Sequence, residues 1–245
     1  MKISSFLLLS HVIVGGKKDG SLIAYGLSQG VIAADGGRPW PSYVGQYAGA
    51  RVHNYAVSGA VCSRNITPET IPATEQLFPD VDSVEIPSFF MDTNYTLPDG
   101  TRFIDLSPES TVFAIMIGGN DIGAHAFLTD SQPPGKPLPD YIDCVFEQID
   151  RLYRGGARYF LLNKLGAMYL APQYAMPEAG GVAASQYWPN KYSNGTAASQ
   201  RMLQHVATVN AIYDLRTLLE VMYQKKYPGA SFALVDLGRL VGCSA

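Results

Sequence analysis

Apolar and polar positions fall into two kinds of segment along this chain. The first kind is short and apolar without alternation: Thr111 to Ile117, Arg158 to Asn163 and Ser231 to Asp236, with Arg51 to Val57 a weaker fourth. The second kind is longer and periodic. Between Asp140 and Tyr153, the residues Tyr141, Val145, Ile149 and Leu152 recur at helical spacing, and Ile142, Phe146 and Tyr153 widen the stripe. Gly155-Gly156 then stops the helix. A second helix is predicted from Ala197 to Lys226, with Met202, Val206, Val209 and Tyr213 on one face, until Tyr227-Pro228-Gly229 breaks it. Unalternating strands separated by amphipathic helices are the signature of parallel strands covered on both faces. The predicted fold is therefore a doubly wound α/β sheet. Proline-rich stretches at 130–140 and 169–194 are predicted loops near the strand ends.

Composition narrows the functional classes. Over 245 residues, 47% are hydrophobic and 16% charged, enough apolar material for one sizeable core. The net charge is −3, and no run of Lys or Arg exceeds two residues, which argues against a nucleic-acid partner. The longest apolar stretch, Phe6 to Gly16, is too short for a bilayer span. The three cysteines, Cys62, Cys144 and Cys243, lack the CxxC spacing of a zinc or redox site. Neither GxGxxG nor a P-loop occurs, and no metal-ligand spacing is present, so no cofactor or metal is implied.

The first residues admit two readings. Lys2 followed by the apolar Ile3 to Val14 and the small Gly15-Gly16 reads as a signal peptide over residues 1–16, leaving one domain over 17–245. Phe6 to Val14 also reads as a first buried strand, and cleavage would remove it. Three glycosylation sequons favour a secreted, extracellular protein: Asn65-Ile66-Thr67, Asn94-Tyr95-Thr96 and Asn194-Gly195-Thr196. In an oxidising compartment Cys62 and Cys144 can pair, leaving Cys243 odd.

Candidate chemistry sits where two strands end, because ligands of open parallel sheets bind beyond the carboxyl ends. After Thr111 to Ile117 comes Gly118-Gly119-Asn120-Asp121, a sharp turn that can aim the Asn120 amide across the sheet end. After Arg51 to Val57 comes Ser58-Gly59-Ala60, where no side chain blocks the Gly59 N–H. Two donors converging on one point are what an acyl-transfer oxyanion needs. Each motif alone is also ordinary turn composition.

Together, Tyr55-Ala56-Val57-Ser58-Gly59-Ala60-Val61-Cys62 and Ile117-Gly118-Gly119-Asn120-Asp121-Ile122-Gly123 resemble the second and third signature blocks of the SGNH (GDSL-type) hydrolases. Gly37 to Pro41, Ala126 to Gln132 and Gln186 to Pro189 extend the resemblance to the fungal secreted branch that includes acetylesterases of plant-wall carbohydrate. The resemblance covers roughly residues 20 to 237. It implies a flavodoxin-like three-layer α/β/α sandwich with a parallel sheet. It also implies a serine esterase acting on a small-molecule or oligosaccharide ester, with the Gly59 N–H and the Asn120 side-chain amide in the oxyanion hole.

Two further elements of that pattern are altered. The first block should read Gly-Asp-Ser, its serine the nucleophile; the nearest string is Asp19-Gly20-Ser21-Leu22, which nominates Ser21. The last block should read Asp-x-x-His, and no such string occurs. His125, four residues after Asp121, is a candidate base; His53 falls on a strand, His205 within a helix and His11 in the signal-like segment. A serine without a base is a poor nucleophile, so negligible esterase activity is expected. A truncated esterase and a non-catalytic carbohydrate-binding relative both fit, the latter with Trp40 and Trp188 as sugar-stacking aromatics. Loss of the first strand and of the final segment would expose sheet edge and apolar helix faces and lower solubility.

Overall fold

A computed structural model of the chain describes residues 5–9, 38–70 and 75–242. Its frame is a five-stranded, all-parallel sheet: β1 (Ser5–Leu9), β2 (Arg51–Asn54), β3 (Thr111–Ile115), β4 (Tyr159–Lys164) and β5 (Ser231–Asp236). The strand order is β2-β1-β3-β4-β5, the flavodoxin-like order in which the winding reverses between β1 and β3. Five helices accompany it: α1 (Trp40–Ala48), α2 (Ile86–Asn94), α3 (Leu138–Arg154), α4 (Gly195–Thr217) and α5 (Leu237–Gly242).

The period-two geometry of a strand divides the central side chains between two layers. Phe113 and Ile115 of β3, with Phe160 and Leu162 of β4, join the large core built with α2, α3 and α4. Val112 and Ala114, with Tyr159 and Leu161, pack on the other face against Trp40 and Val44 of α1. Both faces are covered, which is why these strands read as continuous apolar runs. The fold is the three-layer α/β sandwich the sequence suggests.

The N-terminal strand bears on the two readings of the first residues. Ser5–Leu9 pairs with β2 on one side and β3 on the other, Leu7 opposite both His53 and Phe113. Cleavage after residue 16 would delete this inner strand. In the described chain this segment follows the buried-strand reading, and the sheet is continuous through β1.

Other elements depart from the sequence reading in detail. The long helix predicted to Lys226 stays α-helical only to Thr217, then widens into a π-helical stretch over Leu218–Tyr223. β2 stops at Asn54 rather than Val57. Helix α3 buries Tyr141, Ile142, Val145, Phe146, Ile149 and Leu152, the predicted stripe. Gly156, at φ +102°, lets the chain turn out of it. Cys62 and Cys144 form a disulfide, tying the segment after β2 to α3 across a sequence separation of 82 residues. Among the described residues, no helix is long and apolar enough to cross a membrane.

Candidate active site

Beyond Asn54 the chain leaves the sheet through two successive turns. The Ala56 N–H donates to Asn54 Oδ1 at 3.0 Å, and the Ala60 N–H donates to the Val57 carbonyl at 3.1 Å. Gly59 sits in the second turn at φ +88°, the left-handed region a glycine enters freely. A Cβ there would lie 2.3 Å from the Phe78 ring, so the position also admits no side chain. Its N–H makes no hydrogen bond to another described residue.

The segment after β3 turns just as sharply. Gly118 has φ +118°, and a Cβ on it would lie 2.1 Å from the Tyr141 hydroxyl. That hydroxyl donates to the Ile117 carbonyl at 3.0 Å and pairs with the Tyr213 hydroxyl at 2.6 Å. The turn closes with the Gly123 N–H donating to the Asn120 carbonyl at 2.9 Å.

Asn120 and Asp121 then brace one segment against the other. Asn120 Nδ2 donates one hydrogen to the Ala60 carbonyl at 2.9 Å, which fixes the amide and leaves its second hydrogen for another acceptor. The fully buried Asp121 carboxyl accepts the Cys62 N–H at 3.0 Å and the Thr67 hydroxyl at 2.9 Å. With the disulfide two residues beyond Ala60, the Gly59 turn is held from three directions. The structure thus brings Gly59 and Asn120 into adjacent, cross-braced turns at the carboxyl ends of the strands.

Burial dominates the electrostatics. It pushes the Asp121 carboxyl up to about 7, against the two hydrogen bonds that favour its charge, and the nearby Glu69 pushes in the same direction. Burial likewise lifts Glu69 to about 7, and its Oε2 is buried without a hydrogen-bond partner among the described residues. Glu69 carries no recognisable signal in the sequence, and Thr67 stands out there only as part of the sequon Asn65-Ile66-Thr67, not as a partner of Asp121. Asp121 was visible only as part of its motif.

The remaining candidates lie elsewhere. Ser21, His11 and Cys243 fall outside the described residues. His125 is exposed and its Nε2 meets the Tyr187 carbonyl at 2.7 Å. His53 is buried on β2 and lowered to about 4 by that burial and by Arg51, with neither ring nitrogen hydrogen-bonded to a described residue. His205 on α4 is lowered by burial and by Arg201 while hydrogen-bonding the Ile122 backbone. Among the described residues no histidine hydrogen-bonds a carboxylate, and no cluster of His, Cys, Asp and Glu is arranged to hold a metal. Trp188 is only 3% exposed, packed among Tyr174 and Tyr192, and Trp40 packs in the α1 layer. Both tryptophans are anchors in the fold, not a stacking platform beside Gly59 and Asn120.

The chain is similar to an acetylesterase. It is 31% identical to the acetylesterase of Hypocrea jecorina over 229 residues, covering 91% of this chain and 64% of that protein. It thus spans somewhat less than two thirds of the relative's length. No family model matches the chain.

Proposed function

We propose that this protein is a carboxylic ester hydrolase of SGNH type, in a secreted lineage acting on acetyl esters of plant-wall carbohydrate. Gly59 and Asn120 form its oxyanion hole. The observation that carries this reading is the Asn120 amide, oriented by Ala60 with one hydrogen to spare, on a turn braced against that of Gly59, whose N–H has no hydrogen-bond partner among the described residues. As an ester carbonyl is attacked, negative charge builds on its oxygen, and these two donors stabilise that charge more than the ground state. Similarity to an acetylesterase over most of the chain supports the same chemistry. The Cys62–Cys144 disulfide suits an oxidising, extracellular compartment.

The nucleophile belongs at the carboxyl end of β1, on the other side of the β1/β3 switch point. Ser21 is the serine the sequence nominates, and Ser10 directly follows Leu9 in the chain; both lie outside the described residues. Where a base is lacking, the oxyanion hole carries most of the remaining rate. A site stripped of nucleophile or base still accelerates hydrolysis by roughly 10³–10⁴ over water. Activated esters such as 4-nitrophenyl acetate need no proton on the leaving group and report that residual rate directly.

The test is hydrolysis of 4-nitrophenyl acetate by the full chain and by Asn120→Ala, Ser10→Ala and Ser21→Ala. Slow, saturable turnover that drops at least tenfold in Asn120→Ala supports the assignment. Turnover indifferent to Asn120 removes it. Loss in one serine variant alone identifies that serine as the nucleophile.

A further inference from the structure

Helix α2 buries one face and leaves another bare. Ile86 and Phe89 are in the core, whereas Met91 is 65% exposed and Tyr95, just past the helix end, 56%. With Pro87, Phe90 and Arg151 they line an open hollow of about 630 Å³, and the sixth lining residue is Asn94. That volume lies within the range of small-ligand sites. Asn94 is exposed, begins the sequon Asn94-Tyr95-Thr96, and its side chain makes no hydrogen bond to another described residue. The other two sequons differ. Asn194 uses its side-chain oxygen to cap α4, accepting the Ala197 N–H at 2.9 Å. At Asn65 the sequon hydroxyl, that of Thr67, is committed to Asp121.

We propose that Asn94 carries an N-linked glycan whose first N-acetylglucosamine lies over Met91 and Tyr95 and covers them. The proposal rests on the extracellular reading above, because the transfer happens on the secretory route. A bond forms between Asn94 Nδ2 and the anomeric carbon of a lipid-diphosphate-linked oligosaccharide. The bond from that carbon to the diphosphate breaks, the lipid diphosphate leaves, and the amide proton goes to solvent. A pyranose suits this hollow: its C–H face packs on Tyr95 and the Met91 thioether, while its hydroxyls stay in water beside Arg151. An exposed apolar patch is a liability in a secreted monomer, and a sugar fixed at its centre removes that liability without a protein partner.

The test uses the full chain expressed in a secreting fungal host, with and without an added leader, and peptide mass mapping of all three sequons. Asn94 is expected to be occupied. Thr96→Ala, which removes only this glycan, is expected to lower Tm by about 2–4 °C, and Thr96→Ser to retain both glycan and Tm. Trimming to a single N-acetylglucosamine should leave Tm unchanged, because only the first sugar touches the patch. In Tyr95→Ser the effect of Thr96→Ala should disappear. With the leader present, a bare Asn94 beside an occupied Asn65 overturns the proposal, as does a Thr96→Ala protein of unchanged Tm. Without the leader, three bare sequons contradict the extracellular reading instead.

Discussion

The Asn120 amide donates to the Ala60 carbonyl at 2.9 Å, joining two turns 60 residues apart in sequence. Ala60 follows Gly59 directly, so this one bond sets where the glycine N–H and the free amide hydrogen lie relative to each other. Preorganisation of this kind means that the donors need not reorient as charge develops.

Gly59→Ala is expected to destabilise the fold by roughly 2–4 kcal/mol, from a left-handed backbone and a Cβ driven into Phe78. The double variant Gly59→Ala/Phe78→Ala should recover less than it would from relief of the clash alone, because φ +88° remains unfavourable. Urea unfolding of both variants checks this. A Gly59→Ala protein as stable as wild type would show that the turn is not held as described.

The disulfide constrains a loop with a sequence separation of 82 residues in the unfolded chain. The Cys62→Ala/Cys144→Ala variant should lose about 2–5 kcal/mol. Reductant should have the same effect on wild type and none on the variant. Since Cys62 also donates its N–H to Asp121, loosening this residue should reduce turnover at the Gly59 turn more than binding.

Stability should respond to pH in two opposing ways. Asp121 and Glu69 titrate near 7 in the fold and near 4 in the unfolded chain. Between those values the fold holds protons that the unfolded chain releases, so their contribution is full below about 4 and is lost as pH rises towards 7. His53 does the reverse: folded it titrates near 4, unfolded at 6.5, so its contribution is full above 6.5 and is lost as pH falls towards 4. Two acids outweigh one histidine, so wild-type stability should fall on alkalinisation; Asp121→Asn should flatten that fall and His53→Phe should steepen it. Denaturant midpoints from pH 4 to 8 measure both. Identical profiles for wild type and Asp121→Asn would contradict the buried, protonated carboxyl.

A chain starting at Lys17 lacks β1, the strand that joins β2 to β3. It should aggregate on size exclusion, while the full chain elutes as a folded species. A folded, monodisperse Lys17 variant would restore the signal-peptide reading of residues 1–16.

Much of the frame was readable because parallel strands covered on both faces must be apolar throughout, as Thr111–Ile115 is. Helix α3 announced itself through a long, regular stripe. β1 was ambiguous for a physical reason: a buried inner strand and a signal-peptide core have the same apolar composition. Helices α1 and α2 escaped notice because both are short and carry Pro at their first turn, and α1 also contains Gly45. At the candidate site the sharp turns were legible from the glycines that follow the strands, whereas the pairing of Gly59 with Asn120 came from the resemblance to the SGNH blocks. Thr67, Glu69 and the bracing role of Asp121 were not legible, since they depend on contacts between segments distant in sequence. Trp188 in the core and Trp40 in the α1 layer follow the general rule that aromatic residues anchor cores more often than they stack on sugars.

The most direct test of the oxyanion-hole assignment is the rate of 4-nitrophenyl acetate hydrolysis by the full chain against Asn120→Ala at equal, verified foldedness. Losing this donor should cost tenfold or more in kcat, with a loss in stability of only about 1 kcal/mol for the bond to Ala60. Equal rates in the two proteins would contradict the assignment of Gly59 and Asn120 as an oxyanion hole.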